Sequence, residues 1–248
     1  MNALKTKIMH IRQPKIKKVP ILVKIHSIDY LHQTHDQQII NITDPNEIEL
    51  ELVDNFNYLG IIIDTNFKWT LHIDKLRTKL RQVNHRLFHL SFFCNKSTLI
   101  QAYYSLFDSY LRYGVIAWGT ACQSTLLPIK RLQQTAIRRT INVNNSSFLN
   151  INDLYKIYIL KEYYMDPVFR TPVIRHNLNT RSNTVENSIT YNVGAYRNNY
   201  GKRTNYHIVP YILNDLPEEL RNMQDFKKTI RNIQNFYKNN NNWHLFYS

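Results

Sequence analysis

The sequence predicts an α+β protein in which a small, strand-rich part precedes a mainly helical part. Before residue 65, short β-branched or alternating apolar segments are separated by turn residues. From about Leu71 onward, apolar residues recur every three or four positions instead. We therefore expect three regions: strands over residues 1–65, a helical domain over residues 66–145, and a C-terminal helical extension over residues 146–248.

Short strands account for the first region. Apolar and acidic residues alternate from position 47 to position 52, which is typical of a strand with one buried and one solvated face. The run Tyr58–Ile63 is continuous and β-branched, and it predicts a strand that is buried on both faces. Further strands are predicted at Lys7–Ile11, Val19–Ile25 and Ile39–Ile42.

Three helices are predicted for the middle region. The first, from about Leu71, has an apolar seam made of Ile73, Leu76, Leu80, Val83, Leu87 and Leu90. The second runs from Thr98 to about Tyr113 and the third from about Thr125 to Val143. Their expected inward residues are Leu99, Tyr103, Leu106, Tyr110 and Leu111 in the second helix, and Leu126, Ile129, Leu132, Ala136 and Ile137 in the third.

The last region is less regular. A linker at Asn144–Ser147 is followed by a short helix near Leu154–Tyr163, and residues 166–205 lack a pattern and predict a long surface loop. Glu218 and Glu219 follow a proline and are expected to open a helical turn. The terminal helix is predicted to begin near Met223, with Phe226, Ile230, Ile233 and Phe236 facing inward.

The charge distribution indicates the class of partner. Residues 61–145 hold 12 Lys and Arg against three Asp and Glu, whereas residues 1–60 hold seven of each class. A positive field that is concentrated in one part of a chain favours a polyanion, most simply nucleic acid. The alternative is that the charge serves only solubility.

Other composition signals bound the setting. Two cysteines are too few and too far apart for a zinc site or a disulfide framework, so we expect an intracellular protein, nuclear or cytoplasmic. No apolar run approaches the roughly 20 residues that a membrane span needs, and we expect no membrane partner. No small-molecule ligand is indicated, and the oligomeric state is left open.

Catalytic chemistry is not predicted. A polymerase-type phosphoryl transfer needs paired carboxylates to hold two metal ions, and the sequence contains no Asp-Asp pair. His85 and His89 stand four residues apart, but no third ligand neighbours them, so a zinc site is not expected. We therefore predict no catalytic residue, no metal ligand and no cofactor in this chain.

Binding chemistry is better represented. On the first helix, Lys75, Lys79 and Arg86 form a basic stripe beside the apolar seam, and Arg77 with Arg81 form a second row. Such stripes suit a line of phosphates. A solvated helical face would look similar, but Asp74 is the only acidic residue between positions 65 and 107. The third helix repeats the theme with Lys130, Arg131, Arg138 and Arg139.

Several segments, in order, resemble the jockey-like class of non-LTR retrotransposon reverse transcriptases. Asn2–Met9 is similar to the family's Asn-x-x-Lys-Thr-x-x-Met segment, and Tyr58–Gly60 through Asp64, Trp69 and His72 resembles its strand-to-thumb junction. The remaining similar segments are Ser109–Gly114 with Trp118-Gly119, Leu132–Arg138, His176–Arg181 and Asn214–Pro217. Together they cover the chain from residue 2 to about residue 236.

The resemblance implies an RNA-directed DNA polymerase as the parent protein, with Mg²⁺ as its cofactor and its catalytic parts before Met1. Residues 1–65 would then be a palm remnant and residues 66–145 a thumb. By family role, Lys5 would lie near the nucleotide end of the palm, Tyr58 and Gly60 near the primer strand, and the basic helix against the template–primer duplex.

The resulting expectation is a nucleic-acid-binding fragment that takes RNA or an RNA–DNA duplex and lacks polymerase activity. Two alternatives stay open. The helices could form a non-enzymatic module that packs on a partner protein, or the chain could be a nonfunctional transposon relic whose strands leave open edges.

Overall fold

The computed structural model describes residues 6–12, 24–25, 48–141, 148–165, 191–196, 201–221 and 226–240. These residues are mainly helical with a few small strands, which is compatible with the predicted α+β class. The chain divides into two compact units, Met1–His72 and Ile73–Ser248. The predicted division into palm, thumb and extension stays a prediction.

The described residues of the first unit contain six short strands. β1 (Lys7–Ile8) pairs in parallel with β4 (Glu51–Leu52), and β2 (Lys24–Ile25) pairs antiparallel with β3 (Ile48–Glu49). The strand predicted at Ile39–Ile42 and most of the one predicted at Val19–Ile25 lie outside the described residues. Each of these two ladders is only two residues long.

The segment around Tyr58 is a hairpin, so the prediction of one strand over Tyr58–Ile63, buried on both faces, is wrong. β5 (Asn55–Tyr58) and β6 (Ile61–Asp64) pair antiparallel across a two-residue turn. Leu59 and Gly60 have φ values of 47° and 85°, as a type I′ turn requires. The apolar run misled the prediction because Leu59 stands in the turn, where its side chain is 72 % exposed.

α1 (Thr70–Leu90) confirms the first predicted helix. Five of the six seam residues are buried, and only Leu90, at the last position of the helix, is exposed. Burying an aliphatic side chain of this size contributes roughly 1.5–3 kcal/mol. The seam therefore fixes which face of α1 is left to solvent.

The second predicted helix is helical from Lys96 to Arg112 but changes its winding. α2 (Lys96–Ala102) continues as a π-helical segment (Tyr103–Asp108) and then as α3 (Ser109–Arg112). The wider π turn moves the buried face to Tyr103, Phe107 and Leu111. The prediction that Leu106 and Tyr110 face inward is wrong for this reason, because both are exposed.

The third predicted helix also ends in a π segment. α4 (Val115–Trp118) precedes α5 (Gln123–Thr135), and a π segment (Ala136–Ile141) follows. Gln133 of α5 is fully buried and donates hydrogen bonds from Nε2 to the Tyr103 hydroxyl at 3.0 Å and the Leu149 carbonyl at 2.9 Å. These bonds tie α5 to the first π segment and to the chain that precedes α6 (Ile151–Met165).

The described C-terminal part of the second unit adds four α-helices. α6 confirms and extends the helix predicted near Leu154–Tyr163, and α8 (Glu218–Arg221) confirms the predicted turn. The terminal helix α9 (Phe226–Asn239) buries Ile230, Ile233 and Tyr237. α7 (Asn205–Asp215) was not predicted, although Val209, Ile212, Leu213 and Leu216 follow helical spacing and are buried.

Candidate nucleic-acid interface

The turn between β6 and α1 is held by the carboxylate of the last residue of β6. Asp64 Oδ1 accepts hydrogen bonds from the backbone N–H groups of Asn66 and Lys68, both at 3.0 Å, and its Oδ2 accepts from Trp69 N–H at 2.8 Å. Backbone N–H groups at a helix start have no partner within the helix. Of the three donors, only Trp69 directly precedes the first helical residue, Thr70, so Asp64 satisfies one group at the helix start and orders the turn before it through Asn66 and Lys68.

The same junction contains unusual backbone conformations. Phe67 and Trp69 have φ values of 48° and 65°, which non-glycine residues seldom adopt. The Trp69 side chain is buried, and His72 Nδ1 accepts a hydrogen bond from Ile62 N–H at 3.3 Å. Asp64, Trp69 and His72, which carried the family resemblance, therefore have structural roles at this junction.

The basic stripe of Lys75, Lys79 and Arg86 lies along one edge of the exposed face of α1. Lys75, Lys79 and Arg86 are all exposed. At 1.5 Å per residue they extend over about 16 Å of the helix axis. None of the three has a carboxylate within 4 Å in the described part of the chain.

The second basic row, Arg77 and Arg81, lies along the opposite edge of this face. Arg77 follows Lys75 by two residues, and residues at that spacing do not face each other on a helix. Arg77 Nη2 lies 3.4 Å from Asp74 Oδ1, and Arg81 is exposed. The exposed face of α1 is thus basic along both of its edges.

The prediction that Lys130 contacts nucleic acid is wrong. Its side chain is only 3 % exposed and its Nζ donates a hydrogen bond to Gln123 Oε1. Burial lowers the pKa of Lys130 to about 8, and the nearby carboxylate of Asp153 opposes this shift. An ammonium group that is removed from solvent in this way cannot reach a phosphate.

The other predicted contacts are distributed over the chain. Arg131 and Arg138 are exposed on α5 and its π segment. Arg139 belongs to the same π segment, but its side chain is outside the described part of the structure. Lys5 lies outside the described residues altogether. Gly60 lies in the turn of the β5–β6 hairpin in the first unit, and Tyr58 is the last residue of β5 before that turn. Both residues are exposed.

A group of exposed aromatic rings follows the basic face and was missed by the sequence argument. Phe92 and Phe93, in the turn after α1, are 65 % and 86 % exposed. The rings of Phe88 and Phe92 lie edge to face with centroids 5.0 Å apart. The buried part of the apolar seam ends at Leu87, and the apolar residues that follow are exposed. That end of the seam was the feature from which exposed rings could have been predicted.

Buried carboxylates are also present, but each has a structural partner. Asp108 forms an ion pair with Arg112, and burial raises the pKa of Asp108 while Arg112 lowers it. Asp153 accepts a hydrogen bond from Asn150 Nδ2 at 2.6 Å, and burial raises its pKa to about 6. Within the described ranges, no group of three or more His, Cys, Asp or Glu residues is placed to hold a metal ion.

Two further findings bear on the setting. Among the described helices, none has both the length and the apolar character needed to cross a membrane. No family model, curated protein or solved structure matches this chain.

Proposed function

We propose that this chain is the nucleic-acid-binding, thumb-containing part of a jockey-like non-LTR reverse transcriptase, and that it binds RNA or an RNA–DNA duplex. In this proposal residues 1–65 are the end of the palm, residues 66–145 are the thumb, and residues 146–248 are a C-terminal extension. The family identity is supported by the ordered motifs of the sequence.

The exposed face of α1 is the observation that carries the binding proposal. An exposed cation usually gains from an acidic neighbour on the same helix. Lys75, Lys79, Arg81 and Arg86 are exposed with no carboxylate within 4 Å in the described part of the chain. Phosphate groups would supply the missing negative charge and release counterions from the nucleic acid.

Removing the stripe should test this proposal directly. We expect Lys75→Ala/Lys79→Ala/Arg86→Ala to weaken binding of a labelled RNA–DNA duplex about tenfold or more, because three phosphate contacts are lost. Fluorescence anisotropy at fixed salt would measure the dissociation constant.

The matched control removes the same charge elsewhere in the same unit. Lys227, Lys228 and Arg231 are exposed on α9, and their replacement by Ala also lowers the net charge by three. We expect the control to lose much less affinity than the α1 variant. Equal losses in both variants would show that only the overall charge matters and would contradict the thumb assignment.

We also propose that the chain synthesises no nucleic acid by itself. The paired carboxylates that hold two Mg²⁺ ions in the parent class are missing from its sequence. A primer-extension assay with Mg²⁺ and nucleoside triphosphates should therefore give no product. Extension that persists in a preparation free of contaminating polymerase would refute this part of the proposal.

The exposed rings favour a second candidate function, a protein-interaction module, because apolar patches of this kind often mark contacts with a partner. Under the nucleic-acid proposal the same rings stack on unpaired bases, where each stack contributes roughly 1–3 kcal/mol. We therefore expect Phe92→Ala/Phe93→Ala to weaken binding to a duplex with a single-stranded extension more than binding to a blunt duplex. Unchanged affinity for both probes would favour the protein-interaction module.

A further inference from the structure

Two histidines lie at the centre of the exposed face of α1, between its two basic edges. His85 and His89 are one helical turn apart, and both are exposed. Their Nε2 atoms are 3.2 Å apart, and the rings are perpendicular at 89° with centroids 4.4 Å apart. The two exposed rings are thus in contact with each other.

Two imidazole nitrogens at this distance can share either a proton or a metal ion. Zinc–imidazole bonds are about 2.0–2.1 Å long. A metal ion that is bonded to both Nε2 atoms at that length would subtend an N–metal–N angle of about 103°, close to the tetrahedral value. The observed separation of the two Nε2 atoms therefore matches a two-nitrogen chelate, and a rotation of the exposed rings would direct both lone pairs at the metal.

The surroundings define the kind of site that this pair would form. Two nitrogen ligands suit borderline divalent transition metals, whereas Mg²⁺ prefers oxygen ligands. With two protein ligands, the remaining coordination positions stay open to water or to an anion. Arg81 and Arg86 stand close in sequence on the same helix, so an anion would be favoured there.

We propose that His85 and His89 chelate a divalent transition metal of the Zn²⁺ class through their Nε2 atoms and leave its outer positions open. The pair lies on a helix whose apolar face is buried, so the spacing of the two backbone positions is held by the fold. The chelate requires only the two histidines and would form whether or not α1 binds nucleic acid.

Isothermal titration of the untagged full chain with Zn²⁺ tests this proposal. We expect His85→Gln and His89→Gln each to weaken the affinity about tenfold or more, since loss of an outer-shell partner alone typically costs that much. Mg²⁺ should give no binding at the pair. The chain has ten histidines, so the double variant His85→Gln/His89→Gln gives the background from the others.

A displaced pair provides the matched control. His89→Gln combined with Leu90→His keeps the number of histidines on α1 but places the second ring about 140° away around the helix. Since Leu90 is exposed, this variant should fold, and it should bind Zn²⁺ no better than the double variant does. Wild-type affinity in the displaced pair, or identical titrations for wild type and double variant, would overturn the proposal.

Discussion

Lys130 and Arg131 are adjacent residues with opposite environments. Lys130 is buried and its Nζ donates a hydrogen bond to Gln123, whereas Arg131 is exposed to solvent. The sequence presented them as one basic pair because helical periodicity places adjacent residues about 100° apart and does not state which one meets the core. Only the packing of the second unit separates the two.

The environment of Lys130 has a pH-dependent consequence. The folded state holds its pKa near 8, below the ordinary value of about 10.4, so between these values the unfolded state binds more protons. The free energy of unfolding should therefore rise with pH across this window, by up to about 3 kcal/mol from this group. Lys130→Met should remove that rise in urea titrations between pH 7 and pH 9.5.

Arg131→Met is the control for this residue. Arginine stays charged throughout the range, so this change should leave the pH dependence as in wild type. The affinity for the duplex should respond in the opposite way: it should be unchanged in Lys130→Met and weaker in Arg131→Met. A pH dependence in Lys130→Met that is as steep as in wild type would contradict the buried assignment.

At the scale of elements, the junction between β6 and α1 depends on one carboxylate. Asp64→Ala removes the acceptor of three backbone N–H groups and should lower the free energy of unfolding by about 2–3 kcal/mol. Asp64→Asn keeps Oδ1 and loses the bond of Oδ2 to Trp69, so its loss should be about half as large.

Urea denaturation of both variants would measure this order. Glu162→Ala serves as the control, since it removes one negative charge from an exposed side chain of α6. If both Asp64 variants were as stable as the Glu162 control, the role of Asp64 in ordering the turn before α1 would be contradicted.

The elements also show what the sequence could predict. The seam of α1 was predictable because uninterrupted α-helical winding repeats its buried face, as Ile73, Leu80 and Leu87 confirm. Leu106 was not predictable, because a π segment shifts the buried face and leaves no periodic signal. The hairpin was missed because Leu59 has a positive φ, which β-branched neighbours do not reveal.

At the scale of the whole molecule, the charge and the core are on different faces of the same helix. The apolar seam packs inward, so the basic residues of α1 are presented outward along both edges. The outward position of Lys75, Lys79 and Arg86 was predictable from their spacing relative to the seam. The exposed rings of Phe92 and Phe93 needed the structure, because their exposure depends on where the core ends.

The salt dependence of binding tests the central claim most directly. The slope of log affinity against log salt concentration, measured with an RNA–DNA duplex, counts the phosphates that the protein neutralises. We predict that Lys75→Ala/Lys79→Ala/Arg86→Ala makes this negative slope shallower than in wild type by about three, one for each lost contact. A variant slope equal to that of wild type would contradict the assignment of α1 to the nucleic-acid interface.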